Sequence, residues 1–462
     1  LAFNASGVAS TTLQYADVGQ MSLTAKYTGS GSDANLVMTG TDSFIAAPAS
    51  FAFSAITAAP IKAGNAFSAT LTARNSSGTA TPNFGKETPA AAPTISLTRR
   101  QPTGTGASDG SFTGSFGSYT GGSATASNLT WSEVGNADLG ATLSNYLGSG
   151  LSASGSTGSG PVGAVGPFIP HHFDTAVTPG CSGSFSYAGQ PFTTTITAKN
   201  ASGGITSNYD GTINTAPNFA KATVLSDAGS LGLGSFSGNL VAASAFGAGT
   251  PRVPGVATAT PAYSFTTKQT AEQTLTVRAT DADSVSSAGQ TEGNTKLRSG
   301  RLLLANGYGS EKSALVLSVR AEYWSGQAWV LNSADNCTGS VATPLPASAV
   351  ALSNVRDSKG NAGSWTTSAS AITIGGGVGT LTLAAPTGGA TGTVDLAINL
   401  GSTTTDQSCN TNHPASTGAG FSWLRSRNGN CAATWDRDPA ARASFGVYSP
   451  ETSKTVHARE IF

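Results

Sequence analysis

Apolar and polar positions alternate along much of the chain with a period of two. In residues 63–84, AGNAFSATLTARNSSGTATPNF, Phe67, Ala69, Leu71 and Ala73 alternate with Ser68, Thr70, Thr72 and Arg74. Residues 188–209, AGQPFTTTITAKNASGGITSNY, repeat the pattern at an ungapped offset of 125. There Phe192, Ile196 and Ala198 alternate with Thr193, Thr195, Thr197 and Lys199. Successive side chains of a strand point to opposite faces, so each run predicts a strand buried on one side. The segments NSSG (75–78) and NASG (200–203) follow as turns, because Asn and Gly tolerate positive φ.

A second echo joins QYADVG (14–19) to TWSEVG (130–135), an offset of 116 taken from Tyr15 to Trp131. Behind the first copy Met21, Leu23, Ala25 and Tyr27 alternate, and behind the second Leu139, Ala141 and Leu143 do so. LTVRATDADSV (275–285) is a weaker third version. Each precedes a Gly/Ser-rich stretch and then a new module start, at PASFAF (48–53) and PHHFDTAV (170–177). A repeating unit of about 120 residues with short strands fits an immunoglobulin-like β-sandwich, and helical periodicity is nearly absent.

The expected architecture is therefore all-β, with tandem immunoglobulin-like β-sandwich domains and a larger C-terminal β-sandwich. Residues 45–167 and 168–298 form two repeats and residues 299–462 the last sandwich. In the last region LSVRAEYW (317–324) alternates, and ARASFGVY (441–448) and VHAREIF (456–462) read as strands. Residues 1–44 read as the C-terminal part of a repeat. Its first strands are expected either upstream in a longer precursor or from another chain, as in strand complementation.

Composition narrows the functional classes. Only 10% of the 462 residues are charged, against about 25% in soluble proteins generally. Hydrophobic residues at 38%, with 6 Trp, 19 Phe and 10 Tyr, suffice to seed several cores. A formal charge of +0 without basic blocks argues against nucleic-acid binding. A nearly uncharged surface also lacks the repulsion that keeps copies apart, which hints at self-assembly. No apolar run approaches the ~18–20 residues needed to span a membrane. Any signal peptide is expected to have been removed or to lie upstream of Leu1.

Cys181, Cys337, Cys409 and Cys431 form no C-x-x-C pair, which disfavours zinc and thioredoxin chemistry. An even count in a low-charge β chain suggests disulfides formed in an oxidising compartment. Nearness favours Cys409 with Cys431, leaving Cys181 with Cys337 by elimination, with a free buried thiol at either of the latter as the alternative.

Several segments together resemble a known family. CSGSFSYAGQPF (181–192), SGRLLLANGYGSE (299–311), AEYWSGQAWVLNSADNCT (321–338), DPAARASFGVY (438–448) and REIF (459–462) occur in that order. They resemble the C-terminal region of MshQ-type proteins of the mannose-sensitive haemagglutinin (MSHA) pilus system, over roughly residues 160–462. The resemblance implies a large exported bacterial protein linked to type IV pili, with relatives that often carry a lectin-like domain further upstream. It carries over no catalytic residues. One departure is RSRNGNCAATWDRDP (425–439), where similar proteins tend to have an acidic Gly-containing loop; a metal loop at this point is doubtful.

The chemistry candidates are sparse. His171 and His172, near Asp174, would point to opposite faces of a strand, so a surface role at the start of the domain is favoured over a shared metal. His413 and His457 read as structural. Asp281 and Asp283 could hold calcium, but lack the glycine and terminal glutamate of an EF-hand, so a solvated turn is favoured. Asp436 and Asp438 read the same way, and no other cofactor is expected. Trp324, Trp329, Trp423 and Trp435 could stack on sugars if exposed, though core positions are favoured. No acid pair stands out for glycoside hydrolysis, so the chain is not expected to be an enzyme. The expected role is an extracellular, pilus-associated adhesin or minor structural component, whose partners are pilus subunits, further copies or surface glycans. The alternatives are a self-assembling fibre or sheath subunit and, more weakly, a secreted carbohydrate-active enzyme.

Overall fold

The protein is described from a computed structural model that covers residues 3–181, 183–213, 218–426 and 437–446. It is all-β, and the helical turns among the described residues are short 3-10 segments. No helix among them is long and apolar enough to cross a membrane. The chain opens with a hairpin of β1 (Gly19–Thr28) and β2 (Val37–Ala46), which is a sheet by itself. Pairing sets Met21 opposite Phe44 and Tyr27 opposite Met38. Leu23, Tyr27, Met38 and Phe44 are 47%, 43%, 54% and 41% exposed, whereas Leu139 and Ala141, the counterparts of Leu23 and Ala25, are wholly buried. This face of the hairpin has the pattern of a core face, and among the described residues no sheet covers it.

The next sandwich is made of β3 (Ser50–Ser54), β4 (Ile61–Lys62), β5 (Phe67–Arg74), β6 (Thr94–Gln101), β7 (Phe112–Thr113), β8 (Ser123–Trp131), β9 (Gly135–Leu143), β10 (Ala153–Ser156) and β11 (Val165–Ile169). One sheet has the order β3-β5-β8-β7. In the other, β9 lies between β6 and the pair β10 and β11, and β4 runs parallel to β11.

The third unit comprises β12 (His172–Thr178), β13 (Ser186–Tyr187), β14 (Thr193–Lys199), β15 (Thr223–Asp227), β16 (Gly234–Ser237), β17 (Leu240–Val241), β18 (Val256–Ala259), β19 (Ala262–Phe265), β20 (Gln273–Asp281) and β21 (Asn294–Arg298). Its sheets are β12-β14-β18 and β13-β21-β20-β15-β17, with β16 and β19 paired separately.

The fourth contains β22 (Gly300–Leu304), β23 (Gly307–Gly309), β24 (Leu315–Trp324), β25 (Trp329–Leu331), β26 (Val350–Asp357), β27 (Thr373–Gly375), β28 (Val378–Leu383), β29 (Gly392–Ile398) and β30 (Ala440–Phe445). Here the orders are β22-β24-β28-β27 and β23-β30-β29-β26.

All three sandwiches share one plan. The first strand joins one sheet, and then the chain crosses so that β4, β13 or β23 runs parallel to the last strand of the other. The second and fourth reproduce the ABED and CFG orders of an immunoglobulin constant-type domain. Alternation in the sequence becomes one-sided burial: every second residue of β5 and β14 is buried. In the second sandwich Phe168 is met edge-on by Phe67 at 5.5 Å and by Trp131 at 5.0 Å.

In the third sandwich the expected solvated turn at 281–283 is corrected at its first residue. Asp281 is only 7% exposed, and its Oδ2 accepts the Tyr209 hydroxyl at 2.7 Å. Its Oδ1 accepts the backbone N–H of Asp283 and of Val285, each at 2.9 Å. Burial pushes this carboxyl up from its ordinary value, against the pull of those donors. Asp281 is thus spent on fixing the corner between β20 and the chain that follows it.

Candidate functional site: the interdomain junctions

The aromatic-acid-Val-Gly segments lie at the joints between units, where the acid and the valine have separate tasks. At the joint of the second and third sandwiches, Val134 is fully buried and packs in the third sandwich's core with Phe173, Phe192 and Tyr209. A valine buried in this way contributes about 1.5–3 kcal/mol relative to exposure. Next to it, Glu133 accepts the backbone N–H groups of Ser207 and Asn208, each at 3.0 Å. Burial pushes the Glu133 carboxyl up, while the N–H groups of Asn208, Ser207 and Val134 and the Ser108 side chain pull it back.

The third sandwich answers with two asparagines. Asn200 uses Oδ1 to close its own turn through the N–H groups of Ser202 and Gly204, and sends Nδ2 across the joint to the Ser132 carbonyl at 3.1 Å. Asn208 donates Nδ2 to the carbonyls of Ser108 and Val134 and accepts the Ser108 N–H at 2.7 Å. A main-chain bond from the Ala201 N–H to the Ala63 carbonyl, 2.9 Å, completes the joint.

The same lock recurs between the hairpin and the second sandwich. Val18, 2% exposed, packs in a cluster with Phe51, Leu71 and Phe84. Asp17 Oδ1 accepts the Asn83 N–H at 3.1 Å, and Asn75 Nδ2 donates to the Ala16 carbonyl at 2.8 Å. Asn75 and Asn83 stand 125 positions before Asn200 and Asn208, so both halves of the lock are carried by the repeat. QYADVG and TWSEVG therefore stand just before the closing strands of one module and hold the next.

The final glycine of the motif is needed for its backbone. Gly135 has φ +140°, and a Cβ there would lie 2.1 Å from the Gln101 carbonyl oxygen. Gly135→Ala is expected to lower stability by about 1–3 kcal/mol through this strain, read as a lower urea midpoint. Gly78, at φ +81° in open space, is the control, and Gly78→Ala should cost about 1–2 kcal/mol from backbone conformation alone.

The joint of the third and fourth sandwiches is built differently. Cys181 and Cys337 are joined by a disulfide with a Cα–Cα distance of 5.2 Å. Cys181, Phe185 and Tyr187 lie in the core cluster of the fourth sandwich, although β13 belongs to a sheet of the third. The Tyr187 hydroxyl donates to Asp335 Oδ2 at 2.7 Å and accepts from Asn332 Nδ2 at 2.7 Å. Arg298 donates to Asn332 at 2.6 Å and to Glu272 at 2.6 Å, with its guanidinium over the rings of Phe185 and Tyr323. Burial alone would raise the Glu272 carboxyl, but Arg298 and Lys296 outweigh it and hold it below its usual range. Burial, reinforced by the Asp335 charge, pushes the Tyr187 hydroxyl far above its usual range, so it stays protonated and donates. The Asp335 carboxylate lies 3.6 and 3.4 Å from the two sulfurs, which are bonded to each other.

The remaining sequence candidates are dispersed. Cys409 is disulfide-bonded, and Cys431, Trp435, Asp436 and His457 lie outside the described residues. Trp324 and Trp329 face each other across the β24–β25 hairpin, half-buried and edge-to-face at 5.6 Å, and Arg301 lies over the Trp329 ring at 4.5 Å. Trp423 packs on Phe421 at 5.6 Å against the fourth core. Asp438, expected as a turn residue, is 1% exposed and holds a two-pronged ion pair with Arg425. His413 is part-buried, and burial lowers its pKa. His171 and His172 do not diverge as strand neighbours would: their Nδ1 atoms meet at 2.8 Å, because His171 precedes β12. A cleft of about 510 Å³ in the second sandwich is lined by residues such as Ala91, Pro93, Ile95, Phe116 and Tyr119.

Fold and joints together define the class of protein: a series of immunoglobulin-like sandwiches, each locked to the next through buried polar groups. Segments of the chain match three profiles of one family, DUF6701, a domain of unknown function. The first Ig-like domain matches residues 1–41, the third domain 133–300 and the fourth domain 298–461. The third-domain match begins at Glu133, the acid of the central lock.

No curated protein matches. Solved structures with similarity include the Yersinia pseudotuberculosis adhesin InvE, at 15% identity over 70% of this chain and 71% of that one, with a TM-score of 0.23. Mouse cadherin-23 EC22-24 matches at 10% identity over 76% of this chain and 94% of that one, with a TM-score of 0.20. Similarity at this level carries no argument about function or domain arrangement.

Proposed function

We propose that this chain is part of an exported bacterial surface protein whose sandwiches form a stalk, acting as an adhesin or minor structural component of type IV, MSHA-like pili. The observation that carries the reading is the set of joints. Two repeated acid-Val-Gly locks and a disulfide between sandwiches suit a chain that transmits load and matures in an oxidising compartment. The MshQ-type resemblance over residues 160–462 supplies the pilus association. In this reading the protein works by binding, without catalysis or a resident cofactor, and the fourth sandwich is the docking or tip module. Pull-down of pilin from piliated cells tests it: the disulfide-bonded chain should retain pilus subunits, and deletion of residues 299–462 should abolish retention. Equal retention by the deleted chain would reject the assignment.

The open face of the hairpin favours a second reading, in which a further copy supplies the covering strands and the protein builds a fibre. Light scattering across a concentration series separates the two. Growth of ordered filaments that is lost when residues 1–44 are removed supports the fibre, and a stable monomer rejects it.

A further inference from the structure

We propose that His171 and His172 form a pH-sensitive hinge between the second and third sandwiches, closed at neutral pH and loosened in acid. Ile169 ends β11 and His172 begins β12, so Pro170 and His171 are the whole of the connection. The imidazole rings stand at 89° to each other with their Nδ1 atoms 2.8 Å apart. At that distance one nitrogen must donate and the other accept, so the facing pair holds a single proton. On its two sides the His171 N–H donates to the Lys199 carbonyl within the third sandwich and the Ala63 N–H to the Ile169 carbonyl within the second, each at 2.8 Å. The bond from Ala201 to Ala63 lies beside these.

The charged groups facing the pair come from three strands. Lys62 on β4 belongs to the second sandwich, and Lys199 on β14 and Asp174 on β12 to the third. Asp174 lies 3.7 Å from His172 Nε2 and 3.4 Å from Lys199 Nζ, so its charge is shared. Full protonation would set N–H against N–H and place two imidazolium ions beside two lysines, with one carboxylate to offset them. Burial and then Lys62 hold His171 below its ordinary value; burial also lowers His172, only partly offset by Asp174.

The sign follows from these directions. The closed joint binds fewer protons than the open one, whose histidines titrate near about 6.5. The stabilisation from the pair is therefore complete above about pH 6.5 and is lost as pH falls from there toward the lowered values. Glu133 in the same joint works the other way. Its carboxyl is pushed up, so its protonation in acid relieves a burial cost, and the histidines must be tested by substitution rather than by pH alone.

Hydrogen exchange of the full disulfide-bonded chain, corrected for intrinsic rates, reads the hinge directly. Between about pH 7.5 and about pH 5, protection of the Ala201 amide, whose bond to the Ala63 carbonyl crosses the joint, should fall about tenfold. Amides of β24 should hold their protection. In the His171→Asn/His172→Asn chain the Ala201 amide should show no such dependence. Unchanged protection in the native chain would overturn the proposal, as would an equal fall in both chains. Imidazole nitrogen NMR of the native chain gives a check independent of the variant. It should show one shared proton and titration below the ordinary range, and independent titration of both rings near about 6.5 would overturn the hinge.

Discussion

Replacing Glu133 by alanine should weaken the joint of the second and third sandwiches by about 2–5 kcal/mol. The change removes the acceptor for the N–H groups of Ser207 and Asn208, and a buried donor left without a partner costs about 1–3 kcal/mol. Asn208 then loses part of what holds its loop against Ser108 and Val134, so the loss spreads beyond two bonds. Glu133→Gln keeps one acceptor oxygen and removes the cost of burying an ionised carboxyl, but sets its NH2 against the other N–H, so it should recover only part of the loss. Asp17→Ala should lose less again, because Asp17 accepts a single N–H from the module it holds. Urea unfolding followed by far-UV circular dichroism checks the order. An alanine variant as stable as the native chain would mean that the Val134 contact alone makes the joint.

Strand and sandwich architecture could be read from sequence wherever one face is buried, because burial imposes a two-residue period. Phe67 to Ala73 and Phe192 to Ala198 show this directly. The fourth sandwich repeats the same strand order with no matching sequence, since topology depends on pairing and many apolar residues can fill the same interior. The locks were half visible. Periodicity marked the QYADVG and TWSEVG segments, but the partners of Asp17 and Glu133 lie 66 and 75 residues downstream, and nothing local announces a contact at that distance. Asp281 was misread for the same reason, because Tyr209 reaches it from 72 residues upstream. The histidine pair defeated the alternation rule at one boundary residue: His171 precedes the first residue of β12, and the chain bends there.

Removing the disulfide, by reduction or as Cys181→Ser/Cys337→Ser, should destabilise the joint of the third and fourth sandwiches by about 2–5 kcal/mol. The bond closes a span of 156 residues, and cross-links over long loops remove the most freedom from the unfolded chain. For a unit of this size the loss corresponds to a Tm lower by roughly 5–15 °C. Its location makes the effect structural as well as entropic, since Cys181 and the neighbouring Phe185 and Tyr187 are part of the fourth sandwich's core. Without the bond these residues can leave together, exposing core surface and the Asp335 carboxylate. Tyr187→Phe tests the polar half of the same contact: it leaves the cross-link intact but strips Asp335 of its hydroxyl donor and Asn332 of an acceptor. Because the two sites share Asp335, the combined variant should depart from the sum of its parts by at least about 0.5 kcal/mol. Calorimetry of the four chains in the cycle measures this, and limited proteolysis near residue 299 shows whether the sandwiches come apart. Additive losses without cleavage would mean that the covalent and polar contacts stabilise separate units rather than one joint.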